Sequence, residues 1–202
     1  MISANIKNIP LVFKTDETIF SPKAVDTGTL AMLSVIDFSP NDKVLDLGCG
    51  YGVVGILASK LIGGENVSMC DISETAVQYS KINAELNQIK NVDIKVSDEY
   101  ENIEDSDFTL ILSNPPYHTD FSVAKKFIEG GYKRLVFGGR MVMVTKRLEW
   151  YKNKLTSVFG GVKVREIDGY YVFIAEKRVN KCNKPSDNRK MLSKKLERKL
   201  KV

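Results

Sequence analysis

The run KVLDLGCGYGVVG, residues 43–55, restricts the fold more than any other part of the chain. Val44, Leu45 and Leu47 form a short apolar run, the mark of a strand buried on both faces. Gly48, Gly50 and Gly52 follow at alternate positions, and Val53, Val54, Ile56, Leu57 and Ala58 then continue as a helix-compatible segment. Strand, glycine loop and helix in that order bring a helix N-terminus and bare backbone N–H groups to a ligand. Glycines serve there because a side chain would block close approach. Such loops also occur in α/β turns for packing alone, so the glycines by themselves leave a nucleotide site and a structural turn both open. The dinucleotide pattern GxGxxG needs its third glycine at position 53, where this chain has Val53.

The remaining segments alternate in kind. Residues 9–14, IPLVFK, read as a short strand, and the apolar spacing of Leu30, Leu33, Val35 and Ile36 predicts a helix over about 26–37, capped by Asp26 or Thr27. After the glycine loop a helix runs to about Leu61 and stops at Gly63-Gly64. A second strand, residues 66–70, ends on Asp71-Ile72. Ser73 caps the next helix, with Ala76, Val77, Tyr79, Ile82 and Leu86 at helical spacing. A third strand, 92–96, ends on Ser97-Asp98-Glu99, and a fourth, 108–112, runs into Ser113-Asn114-Pro115-Pro116-Tyr117. A helix over about 123–135, Gly138-Gly139, a strand over 140–145 and a helix over 146–158 follow. The strands 162–167 and 170–176 close as a hairpin on Asp168-Gly169. This alternation predicts an α/β fold: a doubly wound, mostly parallel seven-stranded sheet, Rossmann-like, ending in an antiparallel hairpin with one reversed strand.

Charge is unevenly placed. The chain carries +5, yet residues 178–202 hold ten basic and two acidic side chains, which leaves residues 1–177 at −3. The basic tail suits a polyanionic partner; a solvated, solubilising end is the other reading. It can form a basic amphipathic helix through Leu192, Leu196 and Leu200, marginal on its own. The three cysteines, Cys49, Cys70 and Cys182, lack metal-ligand spacing and read as reduced thiols, which fits a cytoplasmic protein. The one histidine, His118, excludes a multi-histidine zinc site. No apolar run reaches the roughly 20 residues of a membrane span, and the first residues lack the pattern of a signal peptide.

Two acids stand where strands end. Asp71 lies 21 residues after Gly50 and can accept both hydroxyls of a ribose, or cap the helix that follows. Asp98 can take an adenine amino group or sit in a surface turn. In NPPY two prolines impose a stiff extended backbone. An amide precedes them and an aromatic follows. An amide oxygen, a rigid carbonyl and a flat ring together receive a planar group that bears an NH2.

Several of these stretches resemble known motifs. The GxGxG loop with Asp46 two residues before it is similar to motif I of the class I S-adenosylmethionine-dependent methyltransferases. NPPY resembles motif IV of amino-methyltransferases, which act on exocyclic amines of adenine or guanine, or on a glutamine amide. FSPKAVDTGT (residues 20–29), VLDLGCGYGVVG, Asp71 and NPPYH occur in the order of the small-domain methyltransferases. The chain looks most like the ribosomal RNA small-subunit guanine-N2 methyltransferase family, over about residues 10–177. Where that family carries a Gly-Val-Phe-Ser run, this chain has Thr18-Ile19-Phe20-Ser21. Some relatives carry a second, degenerate methyltransferase domain, for which this chain is too short.

The resemblance implies a methyltransferase domain over 1–177 and a basic tail over 178–202. It implies S-adenosyl-L-methionine as cofactor, with Asp46 and the backbone of Gly48, Cys49, Gly50 and Gly52 at its methionine part. Thr29 approaches that end, Asp71 takes the ribose, Ile72 packs on the adenine and Asp98 reads its amino group. Asn114 and the Pro115 carbonyl, in the stiff frame set by Pro116, accept from the target amine while Tyr117 stacks on the base. His118 is left as a substrate contact, a solvent-exposed side chain or a proton shuttle. The implied partner is ribosomal RNA or the small subunit, with the tail on RNA. Methylation of adenine N6 or of a protein amide, and a non-catalytic ribosome-assembly role on the same fold, remain as other readings.

Overall fold

The computed structural model describes residues 1–115 and 121–178. The chain opens with a hairpin, β1 (Ile2–Ile6) and β2 (Ile9–Phe13), turned at Lys7 and Asn8, whose φ values are 53° and 64°. Two successive left-handed residues are what a tight two-residue hairpin turn requires. The sequence predicts only the second of these strands. Ile2, Ala4 and Ile6 alternate, but a run of five residues, of which only Ile6 is buried, gives that period little weight.

Helix α1 (Thr27–Ser34) is capped by Asp26, whose side chain accepts from the Thr29 N–H. It ends three residues short of the predicted 37, because the Val35 and Ile36 N–H groups turn back to Met32 and Leu33. Then come β3 (Val44–Leu47), α2 (Val53–Ile62), β4 (Val67–Asp71), α3 (Glu74–Leu86), β5 (Asp93–Val96), β6 (Phe108–Ser113) and α4 (Phe121–Arg134). The chain closes with β7 (Leu135–Thr145), α5 (Leu148–Phe159), β8 (Lys163–Ile167) and β9 (Tyr170–Glu176).

The main sheet has seven strands in the order β5-β4-β3-β6-β7-β9-β8. All neighbours pair parallel until β9, which runs antiparallel to both β7 and β8. The expected architecture, with its single reversed strand, is the one observed. One boundary differs: β7 begins at Leu135, and Gly138-Gly139 lie within it as a bulge rather than before it. Leu135 pairs with Phe108, but the next pair is Leu110 with Arg140.

Strand side chains divide by alternation. Val44, Met69, Leu110, Leu112, Val142 and Val172 face α1, α2 and α3. Leu45, Leu47, Ile111, Met143 and Phe173 face α4 and α5. Each such side chain contributes about 1.5–3 kcal/mol when fully buried, and the two layers fix the strand ends that carry the site. Among the described residues, no helix is long and apolar enough to cross a membrane.

Helix α3 buries Ala76 and Val77, as their spacing predicts, but also buries polar residues. Leu86 is 42% exposed, while Ser80 and Asn83 are fully buried and Asn87 nearly so. Polar side chains lie inside because each has partners. The Asn87 amide accepts from the Val12 N–H (3.1 Å) and donates to the Val12 carbonyl (2.7 Å), as a neighbouring strand would. Asn83 does the same at Lys14 and also donates to the Tyr51 carbonyl at 2.9 Å. The hairpin is thereby fastened to the glycine loop.

Candidate active site

The reversal of strand order at β3 and β6 opens a crevice at the carboxyl ends of the strands, where ligands of open α/β sheets bind. Ser113 Oγ donates to the Leu47 carbonyl at 2.8 Å and joins the two strands at this point. Gly48, Gly50 and Gly52 adopt φ of 75°, 56° and 98°, the left-handed region that other residues enter at a cost of roughly 1–2 kcal/mol. This is the physical reason for glycine at alternate positions.

The loop N–H groups are not free. Those of Gly48 and Cys49 both donate to the Cys70 carbonyl, each at 2.9 Å. The Gly50 N–H reaches Asp71 Oδ2 (2.9 Å), and the Gly52 N–H returns to the Cys49 carbonyl (2.9 Å). A phosphate cradle needs such donors unoccupied. Here they clamp the loop onto the end of β4, so the loop shapes a cavity without forming an anion nest.

That cavity measures about 440 Å³. Asp26, Asp46, Asp71, Asp98 and Glu99 line it, with no Lys, Arg or His among its described walls. Five carboxylates and no cation suit a ligand that bears positive charge. Asp46 is 2% exposed and accepts from the Gly55 N–H at 2.8 Å. Burial pushes its carboxyl up to about 7; the Gly55 hydrogen bond opposes that rise and the charge of Asp71 adds to it. Asp71 is held from two sides, by the N–H groups of Gly50 and of Ser73, both at 2.9 Å. It shapes the helix entry and still lines the cavity, so the two readings of this acid are compatible. Ile72, 67% exposed, offers an apolar surface beside it. Asp98 lines the far end, after β5.

One edge of the cavity is built by Asn114. Its Nδ2 donates to Asp26 Oδ2 (2.9 Å) and to Thr29 Oγ1 (3.0 Å). Asp26 Oδ2 also accepts from the Thr29 N–H at 2.8 Å, so the atom of Asn114 that faces it must be a donor. The amide orientation is thereby fixed. Its other atom, Oδ1, is buried and has no hydrogen-bond partner among the described residues. A buried unpaired acceptor costs about 1–3 kcal/mol, a cost offset when a ligand donates to it.

Thr29, Asp46, Gly48, Cys49, Gly50, Asp71, Ile72, Asp98 and Asn114 therefore meet at one cavity. Gly52 does not line it. A Cβ there would lie 3.0 Å from atoms of Ile56 and Met69, so Gly52 turns the chain into α2. Pro115 is buried beside Asn114, while Pro116, Tyr117 and His118 fall outside the described residues, as does the tail beyond Arg178. Asp26 is the residue that sequence reasoning assigned too little: a helix cap proves also to orient Asn114. The signal was the segment DTGT, which places Asp26 and Thr29 one turn apart. Cys49 and Cys70 are buried free thiols. Burial pushes Cys70 up to about 12 and Cys49 well above the usual thiol range, so both stay protonated.

A cationic ligand with a ribose and a flat base, set against an oriented amide oxygen, is what a class I S-adenosylmethionine-dependent methyltransferase accommodates, and the residues present fit that cofactor. Residues 10–174 match the family model of the methyltransferase small domain, and the chain belongs to that family. It is 32% identical over 181 residues to the uncharacterized protein YbxB of Bacillus subtilis, covering 87% of this chain and 90% of that one. It is 33% identical over 165 residues to ribosomal RNA small subunit methyltransferase C of Serratia proteamaculans, covering 80% of this chain and 47% of that protein. Among solved structures it resembles a Thermus thermophilus 16S rRNA N2 methyltransferase in complex with AdoMet and guanosine. The TM-score is 0.80 and the identity 28%, over 87% of this chain and 50% of the other. The chain thus spans about half the length of the ribosomal RNA methyltransferases it matches.

Proposed function

We propose that this protein transfers a methyl group from S-adenosylmethionine to the exocyclic N2 amine of a guanine in small-subunit ribosomal RNA. The observation that carries the reading is Asn114 Oδ1, a buried acceptor without a partner among the described residues, on an amide held by Asp26 and Thr29 at the edge of an acid-lined cavity. An amine is the group such an acceptor selects. The likeness to the Thermus enzyme solved with guanosine, and to relatives named for ribosomal RNA, supports guanine in RNA.

The cofactor supplies an electrophilic methyl group on a sulfonium. The chain has to bring the nitrogen to it. A target base within a helix is first swung out of its stack. Asn114 Oδ1 and the Pro115 carbonyl then accept from its amine, and Tyr117 is assigned to the face of the base. The nitrogen becomes positive in the transition state, so acceptors aimed at its protons bind that state more tightly than the ground state. Positioning supplies the acceleration, and no strong base is required. Residues 1–177 form the catalytic domain in this reading, and the basic tail, residues 178–202, adds affinity for RNA.

The test is transfer of labelled methyl from S-adenosylmethionine to purified small subunits and free ribosomal RNA from cells that lack the protein, followed by nucleoside digestion. Labelled N2-methylguanosine is the expected product. Label in N6-methyladenosine or in a ribosomal protein would overturn the base or the substrate while leaving the amine chemistry intact. Cofactor binding without transfer to any of them would turn the reading to an assembly factor.

A further inference from the structure

The cavity poses an electrostatic problem for the proposed substrate. RNA is a polyanion, five carboxylates line the cavity, and residues 1–177 carry −3. The basic tail adds general attraction, but attraction local to the cavity has to come from cations on its rim.

The β6–β7 register locates them. Ser113 pairs with Met143 in parallel, so Asn114 and Pro115 lie level with Val144 and Thr145. Lys146 and Arg147 come next along that rim, and both are exposed. Lys146 Nζ sits over the Tyr170 ring, 4.8 Å from its centroid. That ring abuts α1 at Gly28, where a Cβ would meet Tyr170 Cε1 at 2.6 Å; Gly28 lies between the residues that hold Asn114. Arg147 Cζ lies 5.0 Å from the centroid of Phe121, which is stacked on Trp150 at 4.3 Å. Phe121 begins α4, whose Val123 and Phe127 line the cavity. The two cations therefore straddle the approach to Asn114.

Resting on the reading of RNA as substrate, we infer that Lys146 and Arg147 dock backbone phosphates of the nucleotides that flank the target. Two other lysines of the body are already committed, since Lys126 pairs with Glu99 at 2.8 Å and Lys43 with Asp105 at 3.3 Å; what sets Lys146 and Arg147 apart from other surface cations is their place on this rim. Among the described residues neither Lys146 nor Arg147 is paired with a carboxylate, so each keeps its full charge for a ligand. Seating over an aromatic face limits where each head group goes and lowers the entropy lost on binding. Phosphate contacts of this kind set register without reading sequence.

The test compares the full-length protein, the double variant Lys146→Gln/Arg147→Gln, and a charge-matched control, Lys163→Gln/Arg165→Gln, on the edge strand β8. Affinity for a small-subunit RNA fragment is measured across a salt series, and S-adenosylmethionine affinity alongside. Loss of two single-strand phosphate contacts flattens the plot of log affinity against log salt by about 1.4, at about 0.7 per phosphate. That flattening is expected in the rim variant and not in the control, with cofactor affinity unchanged in both. A rim variant with the wild-type slope, or a control that flattens equally, overturns the docking assignment alone. A wild-type protein that methylates protein and binds no RNA overturns the proposed function, and this inference with it.

Discussion

Asp26 and Asn114 are joined by a 2.9 Å hydrogen bond across 88 residues of chain, from the Asn114 amide to Asp26 Oδ2. The bond fixes which end of the amide faces Asp26 and leaves Oδ1 as the other end, because the same carboxylate oxygen is committed as an acceptor for the Thr29 N–H. Two jobs of Asp26, capping and orienting, can be separated by substitution. Serine caps a helix about as well as aspartate but is one atom too short to hold Asn114. Asp26→Ser is expected to keep the melting temperature within a few degrees and the cofactor affinity unchanged, while kcat falls on the order of tenfold. Asp26→Asn retains an acceptor at full reach and should restore most of the rate. Equal activity in all three proteins would remove Asp26 from the orienting role.

Asn114→Ala deletes the acceptor itself. Removal of one preorganised hydrogen-bonding group at a reacting centre costs about 10²–10³ in kcat, and that is the expected loss here. S-adenosylmethionine binding, followed by calorimetry, is expected to hold within a few-fold. Retained activity would contradict the catalytic assignment, and lost cofactor binding would show that Asn114 belongs to the cofactor wall instead.

The parts legible from the sequence are those in which local chemistry and global fold demand the same residue. Gly48, Gly50 and Gly52 are left-handed in the structure, and strand after strand reads as an apolar run because both faces of the sheet are covered. Ser73, placed as a cap from its spacing, accepts from the Ala76 N–H. What escaped were relationships between distant segments. The partner of Asn114 lies 88 residues away; the segment DTGT sets Asp26 and Thr29 one turn apart but does not point to Asn114. The start of β7 was placed late because Gly138-Gly139 read as a break, whereas the sheet absorbs them in a bulge. Apolar spacing locates Ala76 and Val77 on the buried face of α3, where they lie, but not Ser80 and Asn83, which share it, or Asn87 just after it.

Asn83 allows a stability test of that buried polar face. Its amide makes bonds of 2.6, 2.9 and 2.9 Å to the Lys14 N–H, the Lys14 carbonyl and the Tyr51 carbonyl. Asn83→Leu has similar bulk and strands all three backbone groups. At roughly 1–3 kcal/mol for each buried group left unpaired, the expected loss is on the order of 2–4 kcal/mol by chemical denaturation, since relaxation recovers part of it. Asn83→Asp still accepts from the Lys14 N–H but cannot donate to either carbonyl, and should fall between. A loss below about 0.5 kcal/mol, the range of ordinary surface substitutions, would mean that the hairpin does not depend on this fastening.

Asp46 ties folding and cofactor binding to pH. Burial raises its carboxyl from an ordinary 3.8 to about 7 in the folded chain. A raised acid holds its proton more tightly when folded than when unfolded, so its contribution to stability is complete below pH 3.8 and declines as pH climbs to about 7. Asp46→Asn keeps an oxygen for the Gly55 N–H and has no proton to lose. The stability of the variant relative to wild type is therefore expected to grow across that window, by up to about 1.4 kcal/mol for each pH unit. Denaturation curves at several pH values measure the gap directly. A positively charged ligand beside Asp46 favours the carboxylate. Cofactor binding near neutral pH should thus release a proton, seen as a dependence of calorimetric heat on buffer ionisation enthalpy, and affinity should fall up to tenfold per pH unit below about 7. Both effects vanish in Asp46→Asn if this carboxyl is their source. Their survival in the variant would show that Asp46 is not the titrating group.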